Sequence, residues 1–271
     1  MIRINCIDDR EKRSSKLKTP ITVPVEELAK EPYVSVLCYP KSSEAEVQAR
    51  LQELQEHEVT AVEFSGKASA YGVSASLLGK GFVGLVVIAI RRSEKVALKI
   101  RRVDADREDL LHEAEMLSKA NAANVGPKLV GASKNFLLMQ FIDGDLLPAW
   151  LKAPREKAVV RGVLSEVLEQ CWRLDEARLD HGELSKAPKH VIVDKEQKPW
   201  IVDFETSSDA RKPANVTAIC HFLFTSAGEV AGTIAATLGE RNREEIVRAL
   251  QNYKEKRTRE SFSQVLCACL S

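Results

Sequence analysis

The chain has 271 residues, 44% of them hydrophobic and 29% charged, which is enough apolar sequence for one large or two ordinary domains with a buried core. Forty Lys and Arg against 39 Asp and Glu leave a net charge of +1, so no global basic field draws the protein onto nucleic acid or an anionic membrane. The opening MIRINCIDDREKRSS lacks the apolar core of a signal peptide, and the longest apolar runs, 82–90 and 218–238, are too short or carry His221 and Glu229, so a soluble, cytoplasmic protein is expected.

Residues 1 to about 72 read as a small α/β unit. YVSVLCY (33–39) has strand composition, SSEAEVQARLQELQEH (42–57) has helical spacing with Ser caps, and VTAVEF (59–64) reads as a second strand. The Gly and Ser cluster at 65–76 marks the expected boundary. From there to Ile100 two β-rich runs, separated by Arg91 to Lys95, predict a hairpin or the first strands of a sheet. A charged helix is expected over 104–123, with Leu110, Leu111, Ala114 and Leu117 as its apolar stripe. Two further strand-like pieces, 127–132 and 135–142, end at the turn signal Asp143-Gly144. After Pro154 the pattern is mostly helical, interrupted by an expected hairpin of VIVD (191–194) and PWIVDF (199–204), and a helix near 243–256 closes the chain. Six cysteines, Cys6, Cys38, Cys171, Cys220, Cys267 and Cys269, show no CxxC spacing, which predicts reduced thiols rather than a disulfide framework or a zinc site.

Five short segments carry chemistry: LGKGFVGLVV (78–87), VALK (96–99), HEAEML (112–117), DHGELS (180–185) and IVDFE (201–205). Gly79, Gly81 and Gly84 lie between strand-like runs, where the lack of side chains lets backbone amides approach phosphate oxygens; the alternative is a glycine-bearing β-turn. A Rossmann turn is disfavoured because strand composition continues through Val87, and no Ser or Thr follows Lys80 as a Walker loop requires. Lys99 ends an apolar strand, where a lysine either snorkels to solvent or pairs with an acid of the next helix. Glu113 is the candidate partner; Glu115, two residues on, points about 200° away around the helix. Asp203, at the end of the strand WIV, is a candidate magnesium ligand or a turn-starting Asp, and Glu205 is a second ligand or a solvated charge. Twenty residues before Asp203, Glu183 is placed to orient or deprotonate an acceptor hydroxyl. His181 is either a base or a histidine that holds the loop, and His190 precedes the strand VIVD, where it can face phosphate or metal.

In these residues the chain resembles the protein-kinase-like superfamily, in particular the minimal atypical kinases: the RIO kinases, the small kinase of the tRNA-threonylcarbamoylation complex, and the archaeal serine/threonine kinases related to both. The resemblance covers about Ser76 to Leu223. It implies an α+β, two-lobed kinase-like fold, a β-rich N-lobe over 73–142 and a helical C-lobe over 143–271, preceded by the small α/β domain. ATP and Mg²⁺ are the implied cofactors. Gly79, Lys80, Gly81, Gly84 and Val86 then match the phosphate-covering loop and its strand, Lys99 the phosphate-binding lysine, Glu113 its partner, Met139, Gln140 and Ile142 the adenine hinge, and Asp203 the metal ligand.

The catalytic loop departs from that pattern. The acid is Glu183 where these kinases carry Asp, Pro188 stands five residues on where they carry Asn, and aligning the following strand puts His190 in the Asn position. Imidazole is a softer ligand than an amide oxygen, and a carboxylate displaced by about 1 Å can cost on the order of 10²-fold in rate. DFE replaces DFG at 203–205 and no APE motif follows. The leading expectation is an ATP- and Mg²⁺-dependent atypical serine/threonine kinase, with autophosphorylation or ATPase activity, in which Glu183, Lys99, Asp203 and His181 are the catalytic candidates and Asp203 and His190 hold the metal. The alternatives are a nucleotide-binding pseudokinase acting as a regulatory module and a small-molecule phosphotransferase. The phosphoacceptor is an unidentified protein or small molecule, and the first 70 residues show no winged-helix signature or basic aromatic surface.

Overall fold

A computed structural model describes residues 20–69, 72–75, 77–80 and 83–271. The β-branched runs of the first half form β1 (Ile21–Pro24), β2 (Val59–Ser69), β3 (Gly72–Ala75), β4 (Leu77–Lys80), β5 (Gly84–Arg91), β6 (Glu94–Arg101), β7 (Leu129–Ala132) and β8 (Phe136–Gln140). They make one antiparallel sheet in the order β1-β2-β5-β6-β8-β7, with β3 paired to β2 and β4 to β5. β5 and β6 are the expected hairpin; its two-residue turn, Arg92 and Ser93, sits at positive φ (48° and 69°), the backbone that matches the twist of such strands.

Among the described residues three α-helices belong to this half, α1 (Val34–Leu37), α2 (Glu44–Glu56) and α3 (Leu111–Ala122), beside a 3-10 turn at Val25–Ala29. Ser43 caps α2 by accepting from the Glu46 amide, and the helix buries Val47, Arg50 and Leu54 at i, i+3 and i+7. Arg50 is fully buried. Its guanidinium donates to the carbonyls of Leu37 (2.7 Å) and Arg101 (2.6 Å), to Asn135 Oδ1 (3.2 Å) and to Glu46 (2.7 Å), so each of its three nitrogens has a partner. Glu53 adds contacts to Ser133 and Asn135 from the same helix.

The expected boundary near residue 72 therefore falls inside a shared sheet and a shared core. β1 and β2 are strands of the same sheet as β5 and β6, and Val23, Leu37, Leu54 and Phe64 pack in one cluster with Val87, Leu98 and Phe136. Two local expectations also change. Residues 33–39 hold the helical turn α1 instead of a strand: Val34, Val36 and Leu37 are buried, and Tyr33 packs edge-on against Phe64 at 4.8 Å. The charged helix starts at Leu111 rather than 104: Asp104 is taken up by Arg102, Asp109 accepts from the Leu111 amide at 2.9 Å, and Leu111 itself is 49% exposed while Leu110, Ala114 and Leu117 are buried.

The second half contains β9 (Gly144–Leu146), α4 (Leu147–Lys152), α5 (Lys157–Glu176), β10 (Val191–Asp194), β11 (Pro199–Ile201), α6 (Asn215–Cys220), α7 (Glu229–Leu238), α8 (Arg243–Lys256) and α9 (Arg259–Leu270), with a π-helical turn at His221–Thr225. β10 and β11 are the expected hairpin, and β9 completes their small sheet. The buried stripe of α5, Val160, Val163, Leu164, Val167, Leu168, Cys171 and Leu174, lies at the centre of a helical core. Asp175 anchors it: the carboxylate accepts from the Asn215 amide (2.9 Å), Asn215 Nδ2 (2.8 Å) and Tyr253 Oη (2.8 Å), tying α5 to α6 and α8. Burial pushes the Asp175 carboxyl above its ordinary range, against those hydrogen bonds. Among the described residues no single helix is long and apolar enough to cross a membrane. The described thiols, Cys38, Cys171, Cys220, Cys267 and Cys269, are free; Cys6 and the opening segment lie outside the described residues.

Candidate nucleotide and metal site

The site begins where β6 meets α3. Lys99, registered opposite Val86 on β5 and Leu137 on β8, is 4% exposed, and its Nζ donates to Glu113 Oε2 at 2.7 Å. Glu113 is 3% exposed on the inner face of α3, whereas Glu115 pairs with Lys119 on the outer face, as the helical angle predicts. Gly84 makes room for the lysine stem: a Cβ there would lie 2.8 Å from the Ile100 carbonyl and 3.1 Å from Lys99 Cγ.

Two more acids reach the same ammonium, Asp203 Oδ1 at 3.3 Å and Glu205 Oε2 at 2.8 Å. Burial pulls the Lys99 ammonium down, but Glu113, Asp203 and Glu205 outweigh it and hold the group above its ordinary range. Three carboxylates face one ammonium, and burial pushes Glu113 up to about 7 despite its partner. Burial raises Asp203 too, yet Lys99 and His190 prevail and lower it. Asp203 also sits at φ +70°, a backbone region that costs a non-glycine residue about 1–2 kcal/mol and that is tolerated where surrounding structure over-determines it.

The loop 180–190 faces this cluster. Glu183 is half-exposed, and its Oε2 lies 3.4 Å from His190 Nε2; His190 Nδ1 lies 4.0 Å from Asp203 Oδ2. His181 is fully buried, with Nε2 against the Val202 carbonyl (3.1 Å) and its amide held by Asn215 Oδ1 (2.9 Å), so it has no surface to offer an acceptor: of its two sequence readings, the catalytic one gives way to loop holding. Burial, helped by nearby His190, lowers it to about 4 and keeps the ring neutral. Gly182, at φ +90°, lies where a Cβ would be 2.7 Å from Arg211 Nη2 and 3.1 Å from the Thr206 carbonyl. The segment after Glu205 is tied down by Asp180–Arg211 (3.0 Å), by the Asp180–Ser208 bridge and by His112 Nε2 against the Ser207 carbonyl (3.0 Å). A groove of about 470 Å³ flanks the loop, lined in part by Ser185, Lys186, Pro188 and Phe222.

Other sequence candidates are placed as follows. Gly79 and Lys80 lie in β4, paired opposite Val86 and Leu85; Gly81 lies outside the described residues. Met139 and Gln140 end β8, and Ile142 lies in the connection to β9, partly buried. Sequence reasoning missed Asn215, which holds the His181 amide of the loop from 34 residues away, and Asp175, which holds Asn215 from 40 residues away. Nothing local marks them. It left Glu205 open, and the structure gives that residue to Lys99.

The donor set fits a divalent cation: ligand atoms of Glu183, His190 and Asp203 lie within 4.8 Å of one another, as do those of Glu113, Asp203 and Glu205. Residues 89–219, just under half of the chain, match the family model described as RIO1: RIO domain. That match supports the RIO kinase-like superfamily. The RIO-like stretch includes Lys99, Glu113, Met139, Glu183, His190 and Asp203 and begins after the glycine run, and it implies a kinase-like fold with ATP binding. A search of the curated proteins finds no match.

Proposed function

We propose that this RIO-like chain is an ATP- and Mg²⁺-dependent phosphotransferase of the atypical serine/threonine kinase type. The observation that carries the reading is the buried Lys99–Glu113 pair, 2.7 Å long, with Asp203 3.3 Å from the same ammonium. Bound nucleotide supplies the transferable γ-phosphoryl group. Lys99, fixed by Glu113, holds the phosphates once its contact with Glu205 is exchanged for them; Gly84 allows the backbone to come close; Asp203 and His190 hold the cation. Met139, Gln140 and Ile142 border the adenine. Glu183 orients the acceptor hydroxyl from the open side of the loop, and its half-exposed carboxylate is reachable by a solute. His181, held by Val202 and Asn215, keeps that loop in place and acts as a positioning residue.

The test is phosphate release or autophosphorylation with labelled ATP and Mg²⁺. Wild type gives a signal that Asp203→Ala abolishes. Equal signal from that variant would sink the reading. The pseudokinase alternative draws on the Glu205–Lys99 contact, which occupies the phosphate-holding group. It is favoured if Mg-ATP raises the melting temperature with no turnover, and if Glu183→Gln changes neither.

A further inference from the structure

His190 differs from an ordinary buried histidine. Its residue is only 9% exposed, and Nδ1 is buried with no hydrogen-bond partner; Nδ1 of His181 shares that state, but the His181 ring is held through Nε2 on the Val202 carbonyl, whereas neither ring nitrogen of His190 has a hydrogen bond. The ring stands between two carboxylates, at 3.4 Å from Glu183 Oε2 and 4.0 Å from Asp203 Oδ2, both longer than a good hydrogen bond. Its position is fixed from three directions. The His190 amide donates to the Ala187 carbonyl (3.3 Å), its carbonyl accepts from the Val202 amide (3.0 Å), and the His181 ring packs edge-on against it at 5.4 Å.

We infer that Glu183, His190 and Asp203 form a site for a first-row transition-metal dication of the Mn²⁺ to Zn²⁺ series in preference to Mg²⁺. Mg²⁺ is small and hard, takes oxygen donors in near-ideal octahedral geometry and keeps its waters, whereas imidazole binds the later first-row dications strongly. Two carboxylates and one imidazole make a mixed oxygen and nitrogen set, with coordination positions left for water or phosphate oxygens. A carboxylate has two oxygens, so Glu183 can hold the cation through Oε2 and keep Oε1 for an acceptor. The orphaned Nδ1 and the two acids each gain a partner, which removes the cost of leaving them apart.

The inference rests on the phosphotransferase reading only for what the cation does, since binding is measured without nucleotide. The full chain, stripped with chelator, is titrated calorimetrically with ZnCl₂, MnCl₂ and MgCl₂. One Zn²⁺ or Mn²⁺ is expected per chain, bound at least about tenfold more tightly than Mg²⁺, and His190→Asn is expected to cost Zn²⁺ at least about tenfold and Mg²⁺ less, so that the preference narrows. Pulsed EPR of the Mn²⁺ form should show the nitrogen-14 modulation of a bound imidazole, lost in His190→Asn. If that variant does not fold by circular dichroism, Glu183→Gln replaces it, with the same fall in Zn²⁺ affinity expected. Equal affinities for Zn²⁺ and Mg²⁺, or a nitrogen signal that survives His190→Asn, overturns the inference. Either result leaves Mg²⁺-dependent turnover and its loss in Asp203→Ala to be judged separately.

Discussion

The two sides of the site are held by different means. Lys99 and Glu113 sit on adjacent elements, 14 residues apart, and fix each other through a buried ion pair. The loop 180–190 has no such internal anchor. Asn215 holds the His181 amide, Val202 receives the His181 ring, and Thr206 donates to the His181 carbonyl, while Asn215 is itself held by Asp175. The Lys99–Glu113 pair is therefore fixed between neighbouring elements, and the loop 180–190 is held by the helical core. Damage to either side should cost stability, but on the Lys99 side removing the stranded charge should recover part of it.

The largest expected effects test that contrast directly. Asp175→Ala strands Asn215 and the Tyr253 hydroxyl in the core, and a fall of about 3 kcal/mol in unfolding free energy is expected by urea titration. On the other side, Lys99→Met leaves buried Glu113 without its cation and should cost about 3 kcal/mol as well, but Lys99→Met with Glu113→Gln should recover at least about 1 kcal/mol, because the stranded charge is gone. A strictly additive double-mutant cycle would break the picture of a self-contained pair.

Smaller effects sharpen it. Gly182→Ala is expected to cost about 1–2 kcal/mol, since φ is +90° and the new methyl meets Arg211 and Thr206, and to depress turnover with it. Glu205→Gln should tighten Mg-ATP binding about tenfold by fluorescence titration, the worth of one charged hydrogen bond released from Lys99. Unchanged affinity would mean that Glu205 does not compete with phosphate. The smallest change is the helical control: Gly162 lies in α5 with open space around it, so Gly162→Ala should stabilise the chain by about 0.5–1 kcal/mol in the same urea titration.

The legibility of the site in the sequence follows the same division. Glu113 rather than Glu115 could be chosen from helical angle alone, and the β5–β6 and β10–β11 hairpins from β-branched runs broken by charged turns. His181 was readable only as a choice between base and buttress, and its burial under Val202 and Asn215 decided the matter. Residues 33–39 misled because strand composition describes a buried surface as well as a strand, and here the surface is a helical turn against Phe64.

By itself the sequence determined α2, the β5–β6 and β10–β11 hairpins, α8 and the order of Lys99, Glu113, Glu183 and Asp203 along the chain, because these depend on spacing within a few residues. Tertiary structure alone decided that β1 and β2 complete the sheet carrying Lys99, that Glu205 turns onto that lysine, and that His190 stands between two carboxylates. The physical reason is range. A helix angle or strand alternation is written in neighbouring residues, whereas a buried charge finds its partner from whatever distant segment the core brings within a few ångströms.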